Sequence, residues 1–209
     1  MLSYLMAVAN EGNRRVAEQG CIDRVQHLAD AANPAFAAGS LLVPLAFFAA
    51  SLALGSTELL FYTHVAAGAV WFGFALIFPA VIGPTLGGLD EAAAAAVNRT
   101  LIPKAVFFLV GFSLTTVLSG TVLLTPDIGL GYGFGGTWSG LALGLGWGLF
   151  AFGLAVPHRL HLSAYYETVS PDPDADRLES IEKKNLVVGL FEGAMMLALI
   201  VLMTGFRLG

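Results

Sequence analysis

Residues 59–89 read LLFYTHVAAGAVWFGFALIFPAVIGPTLGGL, and none of them is Asp, Glu, Lys or Arg. That exceeds the roughly 20 apolar residues a helix needs to cross a ~30 Å hydrocarbon layer. Three more stretches carry no charge: Ala35 to Leu54, Ala105 to Pro126 and Ile128 to His158. Over the 209 residues, 56% are hydrophobic and only 12% charged, against about 25% charged in an ordinary soluble domain. A conventional water-soluble domain is excluded, and the length suits one compact membrane domain. Lipid-facing strands would alternate apolar and polar residues, which these runs do not. The expected class is therefore an all-α integral membrane protein. A single cysteine, Cys21, excludes an internal disulfide and any cysteine-only metal cluster. The net charge of −5 comes from the loops and gives no reason to expect a nucleic-acid partner.

Five spans follow, at about 35–54, 58–82, 103–124, 138–161 and 185–206, within a bundle covering 35–209. The second is expected to stop at the Gly83-Pro84 breaker, and the third to start near Pro103, a residue suited to a first helical turn. Nine of the ten basic residues (Arg14, Arg15, Arg24, Arg99, Lys104, Arg159, Arg177, Lys183 and Lys184) fall on one side of such a bundle, with Arg207 opposite. The positive-inside rule then places the amino terminus in the cytoplasm and the carboxyl terminus outside, in a cell (inner) membrane. Residues 1–34 form a cytoplasmic segment. Its apolar start, Met1 to Ala9, has no preceding positive charge and is followed by Glu11, so it is expected to stay attached rather than act as a secretory signal. From Arg14 to Ala32, Ile22, Val25, Leu28, Ala29 and Ala32 recur at helical spacing, with Asp23, Arg24 and His27 opposite. This predicts an amphipathic helix on the membrane or the bundle, with His27 on its wet face. Ser170 to Lys184 reads as a Pro/Asp turn leading into a charged connecting helix.

Ionisable groups inside a bilayer are expensive, so each is a functional candidate. His64 and Glu192 stand out. His64 lies about 9 Å below the outer end of the second span, with Gly68 and Trp71 at i+4 and i+7 on the same face. Gly68 leaves room beside the imidazole and Trp71 supplies a flat wall, which suits a haem. The alternative is a histidine hydrogen-bonded between helices, with Thr115 and Thr116 as partners. Glu192 comes out level with Trp71, whose indole N–H could reach its carboxyl group, as a proton-handling pair or a structural one. Met195, Met196 and Met203 could offer thioethers to copper, or simply pack. His158 and His161 share a helix face near the cytoplasmic end and could start a metal site, or anchor the interface beside Arg159, Tyr165 and Tyr166. They lie about 20 Å deeper than His64, too far to share one iron with it. Gly136, Gly140, Gly144 and Gly148 form an extended GxxxG face, expected to pack within the bundle or, failing that, to join a homodimer.

The run HVAAGAVWFGFALIFPAVIGP (His64 to Pro84) resembles the first core helix of the copper-resistance protein D-like membrane superfamily, in which a His is followed seven residues later by Trp and then a glycine. NRTLIPKAVFFLVGFSLTTVLSGTVLL (Asn98 to Leu124) is similar to its next helix, closing on Ser119-Gly120. The bacterial haem-associated membrane protoporphyrinogen oxidase family is similar in layout, with a His near the end of its third core helix, where His158 or His161 falls. The likeness spans Glu58 to Phe206. The oxidase-like lysine at the start of the third helix is missing between Trp138 and Trp147, and of an Asn-Glu-x-Pro motif only Asn185 remains. The resemblance implies a four-helix core, one extra amino-terminal span, and haem b or copper at His64. Three functions stay open: a bundle of copper-resistance D-like type, a haem-dependent membrane oxidoreductase using His64 with His158 or His161, and a small-solute or ion permease in which Glu192 couples protons.

Overall fold

The computed structural model describes residues 21–208, with side chains from 22 to 205. Among these residues all regular structure is helical, and five helical runs are long and apolar enough to cross a membrane. They are Pro34–Ala53, Thr57–Gly87, Glu91–Leu123, Thr137–Thr168 and Ala175–Gly205. The protein is an all-α membrane bundle. Met1 to Ala9, Arg14, Arg15 and the first part of the expected amphipathic helix lie outside the described residues, as does the side chain of Arg207.

Helix α1 spans Cys21–Ala32 and α2 spans Pro34–Ala53. Between them Asn33 adopts φ 75°, which Asn tolerates better than most residues, and its side chain accepts from the N–H groups of Ala35 (3.0 Å) and Phe36 (3.3 Å). Helix α3 (Thr57–Ile77) starts on Ser56, whose hydroxyl accepts from Leu59 N–H at 3.1 Å. The expected stop at Gly83-Pro84 does not occur. Pro79 has no N–H for the carbonyl four residues back, and the chain widens into a π turn at Phe78–Ile82. Pro84 then falls in the first turn of a short helix, Gly83–Gly87, where a missing N–H is tolerated.

The other boundaries shift for equally local reasons. Helix α4 (Glu91–Leu123) begins well before Pro103, because Asp90 caps it through Ala93 N–H at 2.9 Å and the alanines at 92–96 are the strongest helix formers. Pro103 ends up buried inside it. The expected fourth span breaks at Val156 into α5 (Thr137–Ala155) and α6 (Pro157–Thr168), since Pro157 cannot donate to the preceding turn. The charged connector and the last span are one helix, α7 (Ala175–Leu208), of 34 residues. Asp174 caps it by accepting from Arg177 N–H at 3.0 Å.

Helix α4 packs on α1, α2, α3, α5 and α6, while α7 packs on α3, the π turn, α5 and α6. So α3, α4, α5 and α7 close a four-helix ring with α4 and α7 on its diagonal, and α2 attaches outside through α3 and α4. Glycines allow close approach at three joints: Gly111 meets the backbone of Ser40 and Leu41, Gly189 the ring of Pro79, and Gly193 the side chain of Leu76. Trp71, Ala75, Val117, Leu149 and Met196 fill the ring centre. At the end carrying α1, Leu28 joins Ile102, Val106, Ala164, Tyr165 and Ile181. The expected apolar face is buried at Leu28 and Ala32, with Asp23 and Arg24 exposed, but it does not extend to the start of α1. His27 is hydrogen-bonded to the Tyr165 hydroxyl (3.2 Å), whereas Ile22 and Val25 are exposed.

Candidate functional site: a cavity and a histidine joint

Two polar layers cross the bundle. The first lies in the half away from α1, where His64 of α3 meets α4. Its Nδ1 is 2.9 Å from the Thr116 carbonyl and 3.3 Å from Ser119 Oγ. A carbonyl can only accept, so Nδ1 carries a proton. The Cε1 edge of the ring rests on Gly120, where an added methyl would come within 2.8 Å of it. Gly68, expected to leave room for a cofactor, faces the Thr116 methyl instead, at 3.4 Å from where its own Cβ would be. Thr116 is therefore the partner, through its backbone. Thr115 is fully buried, and its hydroxyl oxygen has no hydrogen-bond partner among the described residues.

The second layer borders a cavity of about 350 Å³ in the half carrying α1. Its lining residues nearest the far end are Trp71, Ser113, Phe150 and Glu192, one from each helix of the ring. Its mouth carries Asn98, Glu179, Glu182 and Lys183. Phe74, Phe78, His158 and His161 line the wall between. The walls are mostly apolar with a few polar groups pointing in, the usual make-up of a small-molecule site. Glu192 is 7% exposed and its carboxyl group interacts with the side chain of Trp71. The expected level match between these two residues thus becomes a contact. Across from it, Gly153 leaves space, its missing Cβ lying 3.4 Å from Glu192 Oε1. His161 stacks edge-on against Phe78 with ring centroids 5.0 Å apart.

The structure brings Trp71, His158, His161 and Glu192 to one cavity and leaves His64 and Gly68 in a filled joint. A haem at His64 finds no cavity: Nδ1–H donates to a carbonyl and Nε2 makes no hydrogen bond among the described residues, as in a metal-bound imidazole, but the ring does not line the cavity and the Thr116 methyl fills the space beside Gly68. Copper fits no better. Among the described residues no three His, Cys, Asp or Glu side chains gather, and Met195 and Met196 pack around Trp71 in the ring centre. At His158 and His161 the donor chemistry does suit haem: two imidazoles with no hydrogen-bond partner among the described residues border an aromatic slot. The glycine face of α5 is not packed within the bundle. Gly140, Gly144 and Gly148 are exposed, and a methyl on Gly144 or Gly148 would meet nothing.

Asn98, Ser113 and Asn185 are site residues that the reading of charge-free stretches passed over. Asn185 Oδ1 is buried without a hydrogen-bond partner among the described residues. Its signal was periodicity, since Glu182, Asn185, Gly189 and Glu192 recur at helical spacing on one face of α7 and all line the cavity. No protein-family model, curated protein or solved structure matches this chain. Function therefore has to be argued from the geometry.

Proposed function

We propose that this multi-pass protein is a proton-coupled permease of the cell membrane, with the cavity as its substrate site and Glu192 as its coupling carboxyl. One observation carries the reading: a carboxyl buried in a membrane span lies at the deep end of a cavity whose mouth is at the basic end of the bundle. By the positive-inside rule that end is cytoplasmic, with the amino terminus inside and the carboxyl terminus outside. A bare intramembrane charge is costly, so Glu192 must carry a proton or face a positive group, and alternation between the two is a coupling device. His158 and His161 of α6 and Glu179, Glu182 and Lys183 of α7 are the other titratable groups on the cavity wall.

The test is proton movement into proteoliposomes loaded with a pH dye and challenged with a panel of amines, carboxylic acids and sugars. At least one panel member should drive proton flux above that of empty liposomes. Glu192→Gln should cut that flux by about tenfold or more. Wild-type protein that moves no protons with any panel member, or a Glu192→Gln chain that moves as many, sinks the proposal.

A second reading has its own support. The unpartnered imidazoles of His158 and His161 beside Phe78 would let the cavity hold haem b, as the likeness to the protoporphyrinogen oxidase family implies. Purified protein would then show a Soret band that His158→Ala or His161→Ala alters and His64→Ala leaves in place. In either case a second copy of the chain is the proposed neighbour on the open glycine face of α5.

A further inference from the structure

The deep end of the cavity is built to accept hydrogen bonds rather than to donate them. Glu192 offers carboxyl oxygens, one of them in contact range of Gly153. Ser113 spends its hydroxyl proton on the Leu109 carbonyl at 2.6 Å, so toward the cavity it presents only lone pairs. Neither Lys nor Arg lies at this end, and Lys183, at the mouth, is paired with Glu179 at 2.6 Å. Aromatic rings of Trp71, Phe74 and Phe150 surround the carboxyl end, and their faces attract cations and repel anions. Farther out the wall is apolar. From Glu192 to Glu179 the cavity follows one face of α7 for about 20 Å, at ~1.5 Å per residue.

From this we infer that the cavity selects amphipathic organic monocations, with an ammonium head placed against the Glu192 carboxyl group and an aromatic or alkyl body lying along the wall toward the mouth. Anions are rejected because the deep end has no positive group to meet them, and a neutral analogue supplies no charge to replace the proton on Glu192. The inference rests on the permease reading for its biological use, but binding alone tests it.

Three probes that differ only in the head group are suited to the test: 1-naphthylmethylammonium, 1-naphthylmethanol and 1-naphthylacetate. Their binding is measured by equilibrium dialysis against the full chain in lipid nanodiscs. The cation should bind about tenfold or more tightly than the alcohol, and the acid should bind least. Glu192→Gln should bring the cation down to the affinity of the alcohol while leaving the alcohol unchanged, which also shows that the variant is folded. Equal binding of the three probes by the wild-type chain overturns the inference, whether or not the variant folds. A preference for the cation that survives in a folded Glu192→Gln chain overturns it too. Selective, Glu192-dependent binding without proton flux would remove the permease reading and keep the selectivity. Proton flux driven only by acids or sugars would do the reverse.

Discussion

The His64 layer and the Glu192 layer each place one ionisable side chain inside the bilayer, yet the protein treats them in opposite ways. Around His64 the helices close in: Nδ1 is committed to Thr116, Gly120 lets the ring lie against α4, and Gly68 admits a methyl rather than a ligand. Around Glu192, Gly189 and Gly193 still hold α7 against α3, but the π turn at Phe78–Ile82 and the break at Val156 border a cavity that the carboxyl group faces. An intramembrane polar residue is thus no functional signal until its surroundings are known. A filled joint uses the group to hold two helices, and a cavity leaves it to meet something else.

The sharpest way to separate the two halves is to add one methyl group. Gly111 is pressed against the Ser40 backbone, which cannot rotate aside, so Gly111→Ala should push α2 off α4 and cost about 3 kcal/mol, the upper range for overpacking. Gly120→Ala meets the edge of the His64 ring at 2.8 Å and must displace a hydrogen-bonded side chain, costing about 1–2 kcal/mol. Gly153→Ala, on the cavity, meets Glu192 Oε1 only at contact distance and should stay within about 0.5 kcal/mol of wild type. Denaturant titration in detergent gives all three values. A Gly153→Ala chain as unstable as Gly120→Ala would mean that the two halves are equally tight.

The histidines sharpen the same contrast. His64→Ala removes an interhelical hydrogen bond and leaves a gap, so it should destabilise the bundle by about 1–2 kcal/mol while leaving naphthylmethylammonium binding within about twofold of wild type. His158→Ala should behave oppositely. It breaks no hydrogen bond among the described residues and should cost no more than about 0.5 kcal/mol, yet it reshapes the cavity wall and should change binding several-fold. The same titration paired with the dialysis assay checks both. Loss of binding in His64→Ala at full stability would return His64 to the ligand site.

The sequence makes the five spans legible because hydrocarbon thickness imposes a length that charge-free stretches either meet or do not. It marks the ends less well, since prolines cut both ways. Pro84 and Pro103 were expected at helix boundaries, yet one falls in a first turn and the other is buried mid-helix, whereas Pro79 and Pro157 reshape the chain. The pairing of Trp71 with Glu192 could be read from depth alone. Which histidine borders open space could not, because it depends on how far apart α4 and α7 stand across the ring. Glycine spacing was ambiguous for a related reason. Gly189 and Gly193 of α7 and the series on α5 are the same motif in sequence, but only the α7 pair meets a neighbouring helix within the chain.

The last contrast, between those two glycine faces, carries the smallest expected effect on the single chain. In the most apolar window of the α5–α6 run only 11% of residues are buried, against 44% for α4, so α5 is the open side of the bundle. An exposed Gly144 and Gly148 one turn apart let a second helix come close enough for backbone contacts, which is how helices associate without a hydrophobic driving force in lipid. Gly148→Leu has nothing among the described residues to strike at its Cβ and should leave stability within about 0.5 kcal/mol of wild type. In a dimer joined on this face the same leucine would hold the two α5 backbones apart. Cross-linking in native membranes should then show a dimer for the wild-type chain and a monomer for Gly148→Leu. A variant that cross-links as well as the wild type would leave the α5 glycines as a lipid-facing surface, and any dimer would have to form elsewhere on the ring.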